Sequence, residues 1–317
     1  MMRNIPGKFA TGLSGWRKAA SSIWPRPNDP AIHGFIEVDA GKAVEYVHGL
    51  SQTSGVHVTL THLVVKAVAD AFHRHPECNA MIRWGRVYLR DHVDISVLVA
   101  LDPKDRRRDQ GADLTAALVR DADRKSLAEI ASELSGGVRS VRQHHDPLLG
   151  RVRKLFRHLP PGLLKRALLV SAFLQYQLNL NLSPTRIMPR DPFGSAMVTS
   201  LAIFELDGAA TPIPPFISLA GIISIGAIKD KPVARQGQVV IRPMMTIGAT
   251  IDHRVIDGFQ GGRLAKVLRS IIQDPETHLG QFDDKGVRIH PPRPTNNYQN
   301  VKPLRPGQNG DGERPQP

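Results

Sequence analysis

The segment DHRVIDG, Asp252–Gly258, sets an imidazole four residues before a carboxylate, with a glycine directly after it. His253 is the only one of the thirteen histidines followed by Asp at the fourth position and then Gly. An imidazole titrates near pH ~6.5, so at neutral pH it can take a proton and return it, which is the work of a general base. The segment falls between a β-rich run ending at Ile251 and a helical period opening near Phe259. A strand-to-helix turn of this kind holds a side chain rigidly at a cleft. The plainer alternative is a loop histidine, with Asp257 as a turn residue and Gly258 supplying a positive φ.

Other chemistries lack their residues. No GxGxxG follows a strand, and neither a GxSxG elbow nor HExxH occurs. Gly221 to Gly226 lacks the lysine of a phosphate loop and reads as β-strand with small residues where elements approach closely. His144 and His145 diverge as neighbours and have no clustered cysteines or acids beside them, so no metal site is expected. Cys78 is the single cysteine; it can form neither an intrachain disulfide nor a cysteine zinc site, which fits a reducing, cytoplasmic setting. The opening residues do not read as a secretion signal. The apolar-rich runs Ala167–Leu174 and Phe216–Ile228 fall short of the roughly 20 residues that cross a bilayer.

The 317 residues, 41% hydrophobic and 22% charged, suit a globular chain, and the pattern alternates short β-rich runs with helical periods, so one α/β domain is expected. HGFIEVD reads as a strand with Ile36 and Val38 inward and Glu37 and Asp39 outward, followed by a helix from near Ala40. TLTHLVVKAVADAFHRHP is a core helix capped near Thr59 and stopped at Pro76. A hairpin about Gly85 and a buried strand over Val93–Leu101 follow. DADRKSLAEIASELSGG gives a helix that Gly136 should stop. AMVTSLAIF, FISLAGIISIGAI and QVVIRPMMTIGATID read as central strands, and FQGGRLAKVLRSIIQDP as a closing helix with Leu264, Val267, Leu268, Ile271 and Ile272 inward.

The stretch VVIRPMMTIGATIDHRVIDGFQGGRLAKVLRSIIQDPE resembles the C-terminal part of the catalytic domain of dihydrolipoyl acyltransferases from 2-oxoacid dehydrogenase complexes. LSGWRKAAS, THLVVKAVADAFHRHPECNA, VRDADRKSLAEIASEL and GSAMVTSLAIFELDG are similar to that family in the same order. The resemblance implies an α/β, chloramphenicol acetyltransferase-like two-layer sandwich, a mixed β-sheet flanked by helices. It implies transfer of an acyl group between coenzyme A, present as an acyl-CoA substrate, and a dihydrolipoyl-type thiol or other acceptor. His253 would be the base of a direct transfer. Thr199 would donate to the oxyanion, with Ser200 as runner-up. Asp257 would hold the active-site turn through Arg17 rather than move protons. A homotrimer with the site between subunits is implied as well. No lipoyl or peripheral-subunit-binding domain precedes Leu13, so the lipoyl group is expected on a partner protein.

The formal charge is +13, and between Val138 and Arg190 ten Lys or Arg face one acid, Asp146. Three readings of that segment stand open: an amphipathic hairpin in peripheral contact with anionic membrane, a cover over the substrate channel, or a packed insertion. Nucleic acid is not expected as a partner, because aromatics make up only 5% of the chain, leaving few stacking platforms, and no RNA- or DNA-binding motif interleaves aromatics with those cations. The expected division is an N-terminal arm and opening helix over 1–30, acyltransferase parts over 31–137 and 191–278, the basic insertion over 138–190, and a Pro-rich tail over 279–317. The loop DPKDRRRDQGADLTAALVRDAD departs from the family's usual glycine-and-proline-rich segment. A catalytically idle scaffold or membrane-associated assembly subunit is the competing function, and a scaffold would need none of His253, Asp257, Thr199 and Arg17.

Overall fold

Alternating apolar and polar side chains make Ala31–Asp39 a strand, β1, with Val38 fully buried. The structure, a computed structural model, describes residues 30–100, 114–142, 161–183 and 190–280. The chain divides into two units, Met1–Pro30 and Ala31–Pro317, and all the strands and helices described belong to the second. The segment expected to form the opening helix with Arg17, the His144–His145 pair and the residues beyond 280 lie outside the described residues.

Helix α1 spans Gly41–Ser54 and α2 spans Leu60–Arg74. At the start of α2 the Thr59 amide donates to His62 Nδ1 at 3.1 Å, and Pro76 prevents its continuation. Strands β2 (Ala80–Arg83) and β3 (Arg86–Leu89) form the hairpin about Trp84–Gly85. They are followed by β4 (Ile95–Ala100), β5 (Leu114–Val119), α3 (Leu127–Arg142) and α4 (Pro161–Ala172), which runs into one π turn, Phe173–Gln177. Strands β6 (Ala196–Ser200), β7 (Gly221–Arg235) and β8 (Gln238–Asp252) lead to α5 (Gly258–Gln273) and α6 (Pro275–Leu279).

Six strands form one mixed sheet in the order β1-β8-β7-β6-β4-β5, with β6 parallel to both β4 and β7 and the other pairs antiparallel. Period-two alternation assigns its two faces. Val38, Ile95, Val198, Ile223 and Ile247 share a core with Leu63 and Val68 of α2, Ile130 of α3 and Ile271 of α5, so the helices cover one face. Burial of each such side chain contributes about 1.5–3 kcal/mol. On the opposite face Met197 and Ile222 pack with Ile217 and Leu219 of the connection before β7. This is the two-layer, mixed-sheet α/β arrangement.

Several local expectations are corrected. The third helix runs through Gly136 to Arg142; neither Gly136 nor Gly137 takes the left-handed conformation that ends a helix, and helix-compatible residues follow them. Part of the expected loop before it is edge strand β5, paired antiparallel with β4. Asp39 is buried rather than outward, because Arg242 and Arg235 close over its carboxylate at 2.7 and 3.0 Å. The strand read from Phe216 begins at Gly221. There Gly226 has no room for a Cβ, which would stand 1.9 Å from the Asp207 carbonyl oxygen, so the small residues of this run are set by close approach.

Candidate active site

Strand β8 ends in a turn that its own side chains clamp. The Val255 and Ile256 amides both donate to the Asp252 carbonyl at 2.9 Å. The Asp252 carboxylate accepts from the Arg254 amide at 3.0 Å and from its guanidinium Nη2 at 2.6 Å. The sequence reading missed this Asp-x-Arg pair, although its i, i+2 spacing stands in the motif. Within the turn His253 is exposed, and its Nδ1 lies 3.0 Å from the Ile256 carbonyl oxygen. A carbonyl only accepts, so in the neutral ring Nδ1 carries the proton and Nε2 holds the lone pair. The turn therefore selects the tautomer in which Nε2 can receive a proton.

Asp257 is the N-cap of α5. Its Oδ1 accepts from the Gln260 amide at 2.7 Å, while Gln260 Oε1 accepts from the Asp257 amide at 2.9 Å, closing a reciprocal capping box. No hydrogen bond joins Asp257 to His253 among the described residues, and Arg17 lies outside them. Gly258 is the first residue of α5 and does not have a positive φ. The carboxylate thus fixes the helix start on which the turn rests.

Thr199 sits in β6 between Leu98 of β4 and Ser224 of β7. It shares the helix-free face with Met197, whereas Ser200 shares the helix-covered face with Val198. The adjacent Ser224 hydroxyl donates to the Ala209 carbonyl at 2.7 Å. Thr199 is half-buried and its hydroxyl makes no hydrogen bond among the described residues, which leaves it able to donate elsewhere.

The sheet register separates these groups. Asp252 donates through its amide to Ala220, and Ala220 to Ser195, so all three lie level at one end of the sheet. Thr199 is four residues further along β6 and two strands across, which at about 3.3 Å per residue and about 4.8 Å per strand puts it about 16 Å from Asp252. His253 and Thr199 of one chain cannot meet on one reacting atom.

The profile of the family described as 2-oxoacid dehydrogenases acyltransferase (catalytic domain) matches residues 17–145 and 192–280. The chain belongs to this family. The cation-rich stretch falls largely in the interval that interrupts the match. This acyltransferase-family chain is 28% identical over 233 residues to the dihydrolipoyllysine-residue succinyltransferase component of the 2-oxoglutarate dehydrogenase complex of Haemophilus influenzae, covering 73% of this chain and 44% of that one. It is 24% identical over 268 residues to the lipoamide acyltransferase component of the branched-chain alpha-keto acid dehydrogenase complex of Bacillus subtilis, covering 82% and 51%. It therefore spans about half the length of the curated relatives it matches. Among solved structures, a probable dihydrolipoamide acetyltransferase from Listeria monocytogenes superposes with a TM-score of 0.56 at 20% identity, covering 87% of this chain and 97% of that one. The cubic core of the pyruvate dehydrogenase multienzyme complex gives 0.57 at 19% identity, covering 80% and 85%. These likenesses establish the shared fold.

Proposed function

We propose that this chain moves an acyl group directly between a coenzyme A thioester and a dihydrolipoyl-type thiol, with His253 as general base. Family membership supports the reaction class, and the names of the relatives, as lipoamide acyltransferase and dihydrolipoyllysine-residue succinyltransferase, favour that acceptor. The observation that carries the reading is the fixed tautomer: an exposed ring whose Nδ1 is tied to the Ile256 carbonyl and whose Nε2 is a ready acceptor. The imidazole takes the proton of the attacking S–H. The sulfur then bonds to the thioester carbonyl carbon, the original C–S bond breaks, and the proton passes from Nε2 to the departing sulfur. The Thr199 hydroxyl donates to the carbonyl oxygen while that oxygen carries negative charge. Because the register keeps the two groups of one chain apart, the working site takes His253 from one copy and Thr199 from the next, in a homotrimer served by a lipoyl-bearing partner protein.

The test is replacement of His253 by Ala, with acyl transfer from a panel of acyl-CoA donors to dihydrolipoamide followed by mass detection. Turnover should be lost while the thermal transition stays nearly unchanged, since an exposed ring with one hydrogen bond contributes only about 1 kcal/mol. Unchanged turnover overturns the assignment. Absence of transfer by the unaltered chain from every donor favours the scaffold instead.

A further inference from the structure

Ten of the nineteen large apolar side chains exposed among the described residues lie in two short stretches, 84–89 and 163–180. The stretches form one surface because they dock on each other. Arg83 Nε donates to the Gln177 carbonyl at 3.0 Å, the Trp84 amide donates to Gln177 Oε1 at 2.7 Å, and the Trp84 ring meets Phe173 edge to face with centroids 5.7 Å apart. Along α4 and its π turn, Leu163, Arg166, Val170 and Phe173 recur at spacings of three and four, which places them on one helix face. That face points away from the protein: Trp84 is 58% exposed, Val170 57% and Phe173 45%. A water-facing helix normally turns such a stripe toward the core, and a contiguous exposed patch marks an interaction site.

Charge identifies the partner. Neither the hairpin Arg83–Leu89 nor residues 161–183 contain an acid, whereas they contribute Arg83, Arg86, Lys165 and Arg166. The exposed Arg166 stands within the apolar face of α4, and the exposed Arg86 stands on the docked hairpin. A second copy seated on it by two-fold symmetry would bring these arginines against their own equivalents, which disfavours an isologous contact of this patch with itself. An anionic bilayer offers both apolar depth and diffuse negative charge. Tryptophan and phenylalanine beside aliphatic residues, with arginines among them, form the pattern of a segment lying in the headgroup boundary. No helix among the described residues is long and apolar enough to cross a membrane. We propose that α4, its π turn and the β2–β3 tip dock on the surface of an anionic lipid bilayer without spanning it.

The test is co-sedimentation of the full chain with vesicles of pure phosphatidylcholine and with vesicles containing about one-third phosphatidylglycerol, at low and high salt. Binding is expected only to the anionic vesicles and should weaken as salt rises. Each cation near such a surface contributes about fivefold in affinity, so the Arg86→Glu, Arg166→Glu double variant should bind at least about 25-fold more weakly. The Val170→Ser, Phe173→Ser variant, with unaltered charge, should also lose binding; circular dichroism verifies that both variants fold. The proposal is overturned if the chain ignores anionic vesicles or binds both kinds equally. It is equally overturned if both folded variants bind undiminished, or if the apolar variant changes the size of the free protein in sedimentation, since the patch would then be a contact between copies. None of these readouts depends on acyl transfer.

Discussion

At the scale of single residues, the hydroxyl row on the helix-free face separates neighbours of nearly identical chemistry. Ser224 is committed to the Ala209 carbonyl, and Ser200 shares the face that the helices cover, so Thr199 is the hydroxyl free to serve an oxyanion. Thr199→Val keeps the shape and removes the donor. It should cut kcat by about 10²–10³-fold, the effect of one oxyanion donor, with a small change in KM. Ser200→Ala should leave kcat within about twofold, because that change falls outside the mechanism; steady-state kinetics of the two variants separates the cases, and equal loss in both would reject Thr199. Cys78 illustrates the opposite environment. Burial, reinforced by the nearby Glu77 and Asp257 carboxylates, pushes its thiol up to about 12, against a smaller opposing pull from Arg263. The reactive thiolate is then scarce at neutral pH. A thiol reagent such as dithionitrobenzoate should leave the folded chain unmodified and report one thiol per chain after denaturation.

At the scale of elements, the start of α2 carries a pH dependence. His62 Nδ1 accepts the Thr59 amide, a bond that only the unprotonated nitrogen can make. Burial, with the neighbouring His57 charge second, lowers the His62 pKa to about 4. The unfolded value is about 6.5, so as pH falls the unfolded chain takes up the proton first. The stabilisation is therefore complete above pH about 6.5 and is lost between about 6.5 and 4, by at most about 3 kcal/mol. Urea midpoints across that range should fall with pH. His62→Gln keeps an acceptor for Thr59 without titrating, and should flatten the profile; an unaltered slope would place the proton uptake elsewhere. Much of this architecture is legible in the sequence where side-chain type and geometry coincide. Pro76 must end a helix, Gly85 permits the hairpin, and the β-branched runs before His253 have the composition of central strands. Leu114–Val119 is opaque because two alanines break its alternation and its strand character comes from pairing with β4. Gly136 misleads because a glycine stops a helix only where the chain turns left-handed, and α3 keeps its direction there. Within the site, His253 is visible from its spacing alone. The choice of Thr199 over Ser200 needs the face assignment, and the Ile256 carbonyl leaves no trace in residue type.

At the scale of the whole molecule, the decisive quantity is the sheet register that sets Thr199 four residues along and two strands across from the end of β8. A site using both groups is incomplete in one copy, and that makes a prediction no single-chain site shares. The His253→Ala chain retains Thr199 and the Thr199→Val chain retains His253. Copurified alone, each is impaired at every interface. When the two are refolded together in equal amounts, the interfaces of the whole population of cyclic trimers fall into four equally frequent kinds, and one kind in four pairs an intact His253 with an intact Thr199. Random assembly should therefore restore about one quarter of unaltered activity. The appropriate comparison is a mock-mixed sample, in which the variants are refolded separately and combined afterwards without exchange; it should stay at the sum of the single-variant rates. Recovery in the co-refolded sample requires the two residues to act across a subunit boundary. Its absence, with trimers verified by sedimentation, would require both groups to act from one chain and would contradict the separation that the strand pairing imposes.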